Sequence, residues 1–195
     1  MWFNQAVGKL TRNSAKAFNN TTLRWDVLPF KVQLTPSNRR SGRAESFYNR
    51  RVILAPQRID RKYQVIKIAN DATEYLIFTE EQNIIDNSDY YYEYPGLITE
   101  RSYAQLQGLT PVLSASGING TKVVSNLGTF PIAMERQGVV QDSIAKDVSH
   151  ALINCYIPWY ANPKEGDTLI FDNRHYLIRE VALELSLYYL SLARI

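Results

Sequence analysis

The side chains best suited to nucleophilic catalysis are the single cysteine, Cys155, and the two histidines, His150 and His175. A cysteine becomes a strong nucleophile when a histidine lies beside it and takes its proton. Positions 150 and 155 differ by five, however, so on one regular strand the two side chains leave opposite faces. Cys155 instead shares a strand face with apolar residues, namely Ala151, Ile153 and Ile157. The sequence therefore predicts a buried structural thiol at Cys155 and an ordinary surface or interface histidine at His175.

The remaining polar motifs lack the spacing of metal or nucleotide sites. Asp86, Asp89 and Glu93 are close together, but the segment has neither the glycine nor the final bidentate glutamate of a calcium loop. The histidines and the cysteine have no short ligand spacing, which argues against zinc. Segment 117–122 is only superficially similar to a phosphate-binding loop, because its glycines are wrongly spaced. We therefore expect no catalytic residue, no bound metal and no cofactor.

Composition limits the class of protein. The 195 residues, of which 45% are hydrophobic, can form the core of one ordinary domain or of two small ones. The net charge of +3 is lower than a dedicated nucleic-acid-binding domain usually carries. A single cysteine excludes an intrachain disulfide, and no apolar run approaches the roughly 20 residues that span a bilayer. We expect a protein that folds in a reducing cytoplasm and has no membrane partner.

Two segments carry residues suited to contacts with other macromolecules. An arginine-rich stretch can bind nucleic-acid phosphates or form salt bridges across a subunit contact. Segment 90–94 has four tyrosines and one glutamate, and so many tyrosines cannot all enter one small core. An acidic tyrosine segment that meets the basic loop of the next copy suits a ring, in which interfaces are heterologous. The predicted interface residues are Tyr90, Tyr91, Tyr92, Tyr94, Arg39, Arg40, Arg43, Trp2 and Phe3.

The N-terminal part of the sequence has apolar residues at the spacing of a helix, before the segments with strand spacing begin. Residues 2–18 have apolar side chains at the spacing of one helix face, which predicts a short amphipathic helix in an N-terminal arm of residues 1–22. Such a helix can pack on its own domain, dock on a partner subunit or lie on a membrane surface. The second alternative is the reason for including Trp2 and Phe3 among the interface residues.

After residue 22 the apolar spacing changes to the period of β-strands. The first part has candidate strands at 24–34, 51–55, 63–69 and 74–79, of which the last two predict a hairpin. In the last part, Phe130, Ile132 and Met134 share one strand face, and Pro158 ends another strand. Segments 168–171 and 175–181 predict a second hairpin. Between residues 183 and 192 the apolar alternation slips by one residue, which indicates a bulge or a strand buried on both faces.

These patterns predict a mainly β fold, a small antiparallel β-barrel or sandwich in one or two tandem β-domains, with a short N-terminal helix. The predicted division is an arm at 1–22, a β-rich domain at 23–110, a linker or irregular segment at 111–128 and a β-barrel domain at 129–195. Residues 28–79 have an order of elements similar to that of the last domain. In both, a strand ends at a proline, Pro56 and Pro158, which suggests an internal duplication.

The last third of the chain resembles the head–tail stopper, or head-completion, proteins of tailed bacteriophages. The residues that carry the resemblance are runs 130–136, 151–158 and 165–181. They follow the family's order of an opening strand, a central strand that ends in proline, a Gly-Asp turn, a strand, a tight turn and a return strand. The tight turn departs from the family pattern, because it has Asp172, Asn173 and Arg174 where glycine is common.

The resemblance implies a homo-oligomeric ring in the neck of the virion. Such a ring docks on the portal or connector above, accepts a tail protein below and helps to retain packaged DNA through lumenal contacts. It implies assembly in the host cytoplasm, location in the virion and no enzyme activity. The alternatives are a tail terminator, a baseplate or another phage structural component, and a barrel that binds single-stranded nucleic acid.

Overall fold

The computed structural model describes residues 12–36, 50–69, 73–79, 82–86, 89–100, 102–111, 122–134 and 152–195. Within these ranges the chain forms fourteen strands and one short 3-10 helix, Trp159–Ala161. It divides into two compact units, of which unit 1 ends at Ile98 and unit 2 continues from Thr99. The predicted fold class, mainly β with antiparallel pairing, is confirmed. No helix in the described part of the chain is long and apolar enough to cross a membrane.

Unit 1 is a closed barrel. Its strands are β1 Asn13–Asn19, β2 Arg24–Pro36, β3 Arg50–Ala55, β4 Tyr63–Ile68, β5 Glu74–Ile77, β6 Gln82–Asp86 and β7 Asp89–Ile98. They are ordered β3-β2-β1-β4-β5-β7-β6, and pairing of β3 with β7 closes six of them into an antiparallel barrel. Strands β4 and β5 form the hairpin that the sequence predicted. The strand that closes the barrel is therefore β7, which contains the tyrosine segment 90–94.

Unit 2 contains the second sheet. Its strands are β8 Ala104–Pro111, β9 Lys122–Phe130, β10 Ala133–Met134, β11 Leu152–Pro158, β12 Thr168–Phe171, β13 Arg174–Glu184 and β14 Leu187–Arg194. They are ordered β10-β11-β14-β13-β12-β8-β9. Phe130, Ile132 and Met134 contact one core, although Ile132 lies between β9 and β10 rather than in a strand. Cys155 and Ile157 lie in the same core, and β11 ends at Pro158 as predicted.

The two units share one strand order. Order β2-β1-β4-β5-β7-β3 in unit 1 matches β9-β8-β12-β13-β14-β11 in unit 2. The registers agree as well, because buried Tyr75 opposes Ile66 and buried Tyr176 opposes Leu169. The first half of β2 pairs with β1 and its second half with β3, just as β9 pairs with β8 and β10 with β11. In this arrangement Pro56 directly follows β3 and Pro158 ends β11, and these two strands occupy equivalent positions in the order.

The predicted N-terminal helix is wrong for the residues that the structure describes, because 13–18 belong to strand β1. Ala15 and Ala17 face the core while Ser14 and Lys16 are exposed, which is the alternation of a strand. Pairing with β2 and with β4 satisfies the backbone of β1 on both edges. The rest of the predicted helix, including Trp2 and Phe3, lies outside the described residues.

The observed boundary also differs from the predicted one. The structure divides the chain after Ile98 rather than near residue 110, because β8 pairs with β12 and β9 in unit 2. The segment predicted as a linker, 111–128, contains most of β9. Each unit thus begins with an antiparallel pair of strands, β1 with β2 and β8 with β9.

Two tight turns explain local departures from the sequence patterns. Asp172 and Asn173 have φ values of 49° and 57°, the left-handed geometry that two-residue hairpin turns require and that Asp and Asn tolerate. The apolar slip near residue 189 has two causes. A turn at 185–186 reverses the chain between β13 and β14, and β14 is buried on both faces, with Tyr189 on one and Leu190 on the other.

Candidate subunit interface

The structure does not bring the candidate catalytic residues together. Cys155 is buried in the core of unit 2, which confirms the predicted structural thiol, and burial raises the pKa of this thiol far above its ordinary value. His175 is exposed on the opposite face of the sheet, where it pairs with Ile170. His150 lies outside the described residues. In the ranges that the structure covers, no three His, Cys, Asp or Glu side chains are grouped so that they can hold a metal ion.

The tyrosine segment is divided between core and surface. Tyr94 has no exposed surface, and its hydroxyl oxygen accepts a hydrogen bond of 2.6 Å from the backbone N–H of Ile59. Its assignment to the interface is therefore corrected: the side chain is part of the core of unit 1. Tyr92 is half-buried and packs against the same core. The backbones of Tyr90 and Tyr91 pair with Ile85 and Ile84 of β6.

The other predicted interface residues lie outside the described ranges. They are Arg39, Arg40, Arg43, Trp2 and Phe3. The surfaces suited to a partner are therefore sought among the described strands, where three features stand out: a two-stranded extension in each unit and an exposed apolar stripe on β2.

The extension of unit 1 is the β6–β7 hairpin. Strand β3 pairs with β7 only from Tyr92 onward and β5 pairs with it only from Gly96, so residues 89–91 have β6 as their sole partner among the described strands. The last pair of this hairpin joins Asp86 to Asp89. The acidic tyrosine segment thus continues past the closed barrel as a two-stranded ribbon.

The extension of unit 2 is the distal part of the β8–β9 hairpin. Strand β12 pairs only with residues 105–107 of β8, whereas β8 and β9 remain paired as far as Pro111 and Lys122. Four apolar side chains here are between 43% and 57% exposed: Leu109, Val123, Val124 and Leu127. Leu109 and Val124 lie directly opposite each other, while Val123 lies on the other face. Each face of this ribbon therefore exposes at least one apolar side chain.

The outer face of β2 carries an apolar stripe that sequence reasoning missed. Trp25 and Val27, on one face of β2, are 37% and 67% exposed, and Leu23, in the turn just before the strand, is 67% exposed. The signal in the sequence was this period-2 row beside a second row, Asp26, Leu28, Phe30 and Val32. Only one of these two rows can face the interior of the barrel. In the structure, the row that contains Leu28 and Val32 faces inward. The row that contains Trp25 and Val27 stays on the surface.

Basic side chains flank this stripe. Lys16 on β1 is opposite Val27 on one side and Lys67 of β4 on the other, and Lys67 is opposite Glu74 of β5. This row lines an open cavity of about 490 Å³, together with Trp25. Lys16 and Lys67 are like charges directly opposite each other, and Glu74, opposite Lys67, balances part of this positive charge.

A polar network fixes the turn beside the stripe. The side-chain oxygen of Asn19 accepts hydrogen bonds from the N–H groups of Thr21 and Thr22, at 3.0 and 3.2 Å. Asp26 accepts hydrogen bonds of 2.8 Å from the Asn19 amide and 2.9 Å from the Tyr63 hydroxyl. These two bonds lower the pKa of Asp26, Asn19 first, while burial and the bond to Asp26 raise the pKa of Tyr63. The network holds the turn that ends in Leu23, whose φ is 55°.

Comparison with protein-family models, with curated proteins and with solved structures finds no match to this chain.

Proposed function

We propose that this chain is a structural subunit of a tailed-phage virion, which forms a homo-oligomeric ring in the neck between the portal and the tail. The observation that carries the proposal is the β8–β9 ribbon with exposed apolar side chains on both faces. A two-stranded ribbon is marginally stable alone in water, and exposed apolar surface gains free energy only when a partner covers it. A contact between subunits would cover this ribbon and bury its exposed apolar side chains.

A ring suits the difference between the two extensions. The β8–β9 ribbon is apolar, whereas the β6–β7 hairpin is acidic and rich in tyrosine. Unlike surfaces on one chain can join head to tail, and such heterologous contacts form a ring when the rotation between neighbouring copies closes. In this proposal the portal above and the tail protein below cover further surface, and lumenal loops help to retain DNA. No chemical step is needed for this function.

The experiment combines light scattering with electron microscopy of the purified full chain, alone and mixed with candidate portal and tail proteins. We expect rings. Val124→Asp should weaken ring formation at least tenfold, because the ribbon can then be buried only with an unpaired charge. Ile195→Asp changes an exposed apolar residue outside the ribbon and serves as the matched control. A chain that stays monomeric with every neck and tail partner contradicts the proposal.

Two alternatives predict different partners. A tail terminator, baseplate or other phage component would form its complex with tail proteins and none with the portal. A single-strand nucleic-acid-binding barrel is favoured by the basic residues along β1 and β2 beside Trp25, such as Lys16, Arg24 and Lys31. That alternative predicts binding to a labelled oligonucleotide that weakens steeply with salt.

A further inference from the structure

We propose that β9 pairs edge to edge with β9 of a second copy of this chain, in antiparallel orientation about a two-fold axis at Val124. The inference goes beyond the proposed function, because such a pair can form with or without a ring. Where a ring also forms, each chain has one two-fold partner, so the assembly contains an even number of chains.

Strand β9 lies at the end of its sheet. β8 pairs with residues 122–130, and no other strand in the described part of the chain does so. The ladder is interrupted by a bulge at Leu127, which falls between the register positions of Asn126 and Gly128. Residues 122–126 therefore present one regular strand edge, which a further strand can extend.

The equivalent strand of unit 1 shows how such an edge is protected. Strand β2 has the position of β9 in the shared order, and β1 is likewise the one described strand that pairs with its residues 24–32. Charged residues and prolines are common means by which proteins prevent pairing at an edge. The β2 stretch contains four residues of these kinds: Arg24, Asp26, Pro29 and Lys31.

The β9 edge lacks this protection. Residues 123–130 include no charged residue and no proline. Val123 and Val124 are β-branched and about half exposed, so they favour an extended conformation and gain free energy when a neighbouring strand covers them. The two units thus share one topology but differ at this edge, and β9 is the edge that remains competent to pair.

The same edge of a second copy is the complementary occupant. A charged strand would have to place its charges against exposed valines, which excludes the β2 edge as a good partner. An uncharged edge, by contrast, does not repel its own copy. Pairing two identical edges also covers both of them in a single contact.

A centre at Val124 joins the exposed apolar side chains into one row. Leu109 of β8 lies directly opposite Val124, and the two side chains are 43% and 57% exposed. With Val124 opposite Val124 of the second copy, the row runs Leu109–Val124–Val124–Leu109 across four strands. Direct cross-strand neighbours of this kind stabilise a sheet. A centre one residue later would place Val124 opposite the polar Asn126.

The first test places charges on the axis. V124K and V124E should each weaken dimerisation of the full chain at least tenfold in light-scattering titrations, because two like charges then lie opposite each other. An equimolar mixture of V124K and V124E should regain dimers, since a lysine then faces a glutamate. V27K, which changes an exposed valine on the protected strand β2, is the matched control and should dimerise like the original chain.

The second test uses disulfide trapping in a Cys155→Ala background. Residues directly opposite each other in an antiparallel pair have Cα atoms roughly 4.5–5.5 Å apart, which is within the range of a disulfide. We therefore expect Val124→Cys to oxidise to a covalent dimer, as seen on a non-reducing gel. Val27→Cys is similarly exposed and should remain mostly monomeric under the same conditions.

The outcomes separate this inference from the proposed function. Rings that weaken in V124K and V124E, with no rescue in the mixture and no V124C dimer, show that an unlike surface covers β9; this overturns the two-fold pair and leaves the ring standing. Equal dimerisation of V124K, V124E and the original chain also overturns the pair. Rescue together with the disulfide, in a chain that forms no ring with any neck or tail partner, supports the pair and contradicts the ring.

Discussion

Leu23 and Leu185 each break two local rules at once. Their φ values are 55° and 57°, in the left-handed region that costs an L-residue roughly 1–2 kcal/mol. Both side chains are also mostly exposed, although leucine gains free energy from burial. Leu23 ends the turn between β1 and β2, and Leu185 forms part of the turn between β13 and β14. Non-glycine residues held in this region of φ tend to cluster at functional sites.

The strain at Leu185 gives a stability prediction with a matched control. We expect Leu185→Gly to raise the free energy of unfolding by about 0.5 kcal/mol, because glycine adopts positive φ without a steric cost. Leu183→Gly, in the exposed part of β13 just before the turn, should lower it by about 0.5–1 kcal/mol, because glycine weakens a strand. Urea unfolding measures both; the same sign for both variants contradicts the assignment of strain.

Asp26 makes stability depend on pH in the acidic range. Its pKa is lowered in the folded chain, so it contributes stability above its ordinary value of 3.8, and this contribution is lost as the pH falls through the lowered pKa. We expect Asp26→Asn to have a lower Tm than the original chain at pH 6. The difference should shrink toward pH 2. A difference that stays constant over this range would show that the carboxylate charge is irrelevant.

Cys155 should be chemically silent in the folded protein. Burial raises its thiol pKa and removes it from solvent, and both effects suppress attack on alkylating reagents. We expect no labelling by iodoacetamide at pH 8 in buffer and complete labelling in denaturant, as measured by mass spectrometry. Rapid labelling of the native chain would place the thiol on the surface and reopen a catalytic role.

At the scale of elements, the hairpins differ in how their turns are specified. The β12–β13 turn uses Asp172 and Asn173, both at positive φ. We expect Asn173→Val to lower the free energy of unfolding by roughly 1–2 kcal/mol, because a β-branched residue cannot adopt this geometry without strain. Asn173→Gly should be neutral or stabilising, since glycine is the favoured residue here. Thermal unfolding of both variants tests the turn type, and equal effects contradict it.

The paired extensions are another feature at this scale. The β6–β7 and β8–β9 hairpins both continue beyond the strands that would cover their edges. Free strand edges invite pairing with other chains, and proteins usually protect them. In this chain one extension is acidic and the other apolar, so each selects a different kind of surface. In the proposed ring, this difference between the two extensions gives the assembly its direction.

At the scale of the whole molecule, the two units share one strand order. Cross-strand rows Ala17–Ile66–Tyr75 and Leu106–Leu169–Tyr176 occupy equivalent positions and are fully buried. The units nevertheless have separate cores. The repeated order thus gives each unit its own core and a different two-stranded extension.

Equivalent core residues therefore allow a paired test of the two units. Ile66→Ala should destabilise unit 1 by about 2–5 kcal/mol, and Leu169→Ala should do the same to unit 2, because each leaves a cavity in one core. Amide hydrogen exchange with mass spectrometry should show lost protection mainly in β1–β7 for the first variant and in β8–β14 for the second. Uniform loss across the chain for both would contradict separate cores.

The sequence alone determined several of the strands and which of their faces are apolar. Period-2 patterns predicted β4, β5, β12 and the inner face of β11, because side-chain alternation depends only on local backbone geometry. The buried thiol at Cys155 followed from the same alternation. The shared proline at the ends of β3 and β11 indicated the repeat for a similar reason, since a proline stops a strand wherever it falls.

Only the tertiary structure decided which apolar row enters a core and which is left outside. Residues 13–18 became a strand because β2 and β4 pair with both of their edges, and a short segment does not reveal such distant partners. Tyr94 entered the core through the register of β7 against β3, whereas the apolar row of Leu23, Trp25 and Val27 stayed outside. Register is set by long-range pairing, and shifting it by one residue exchanges the two faces of a strand.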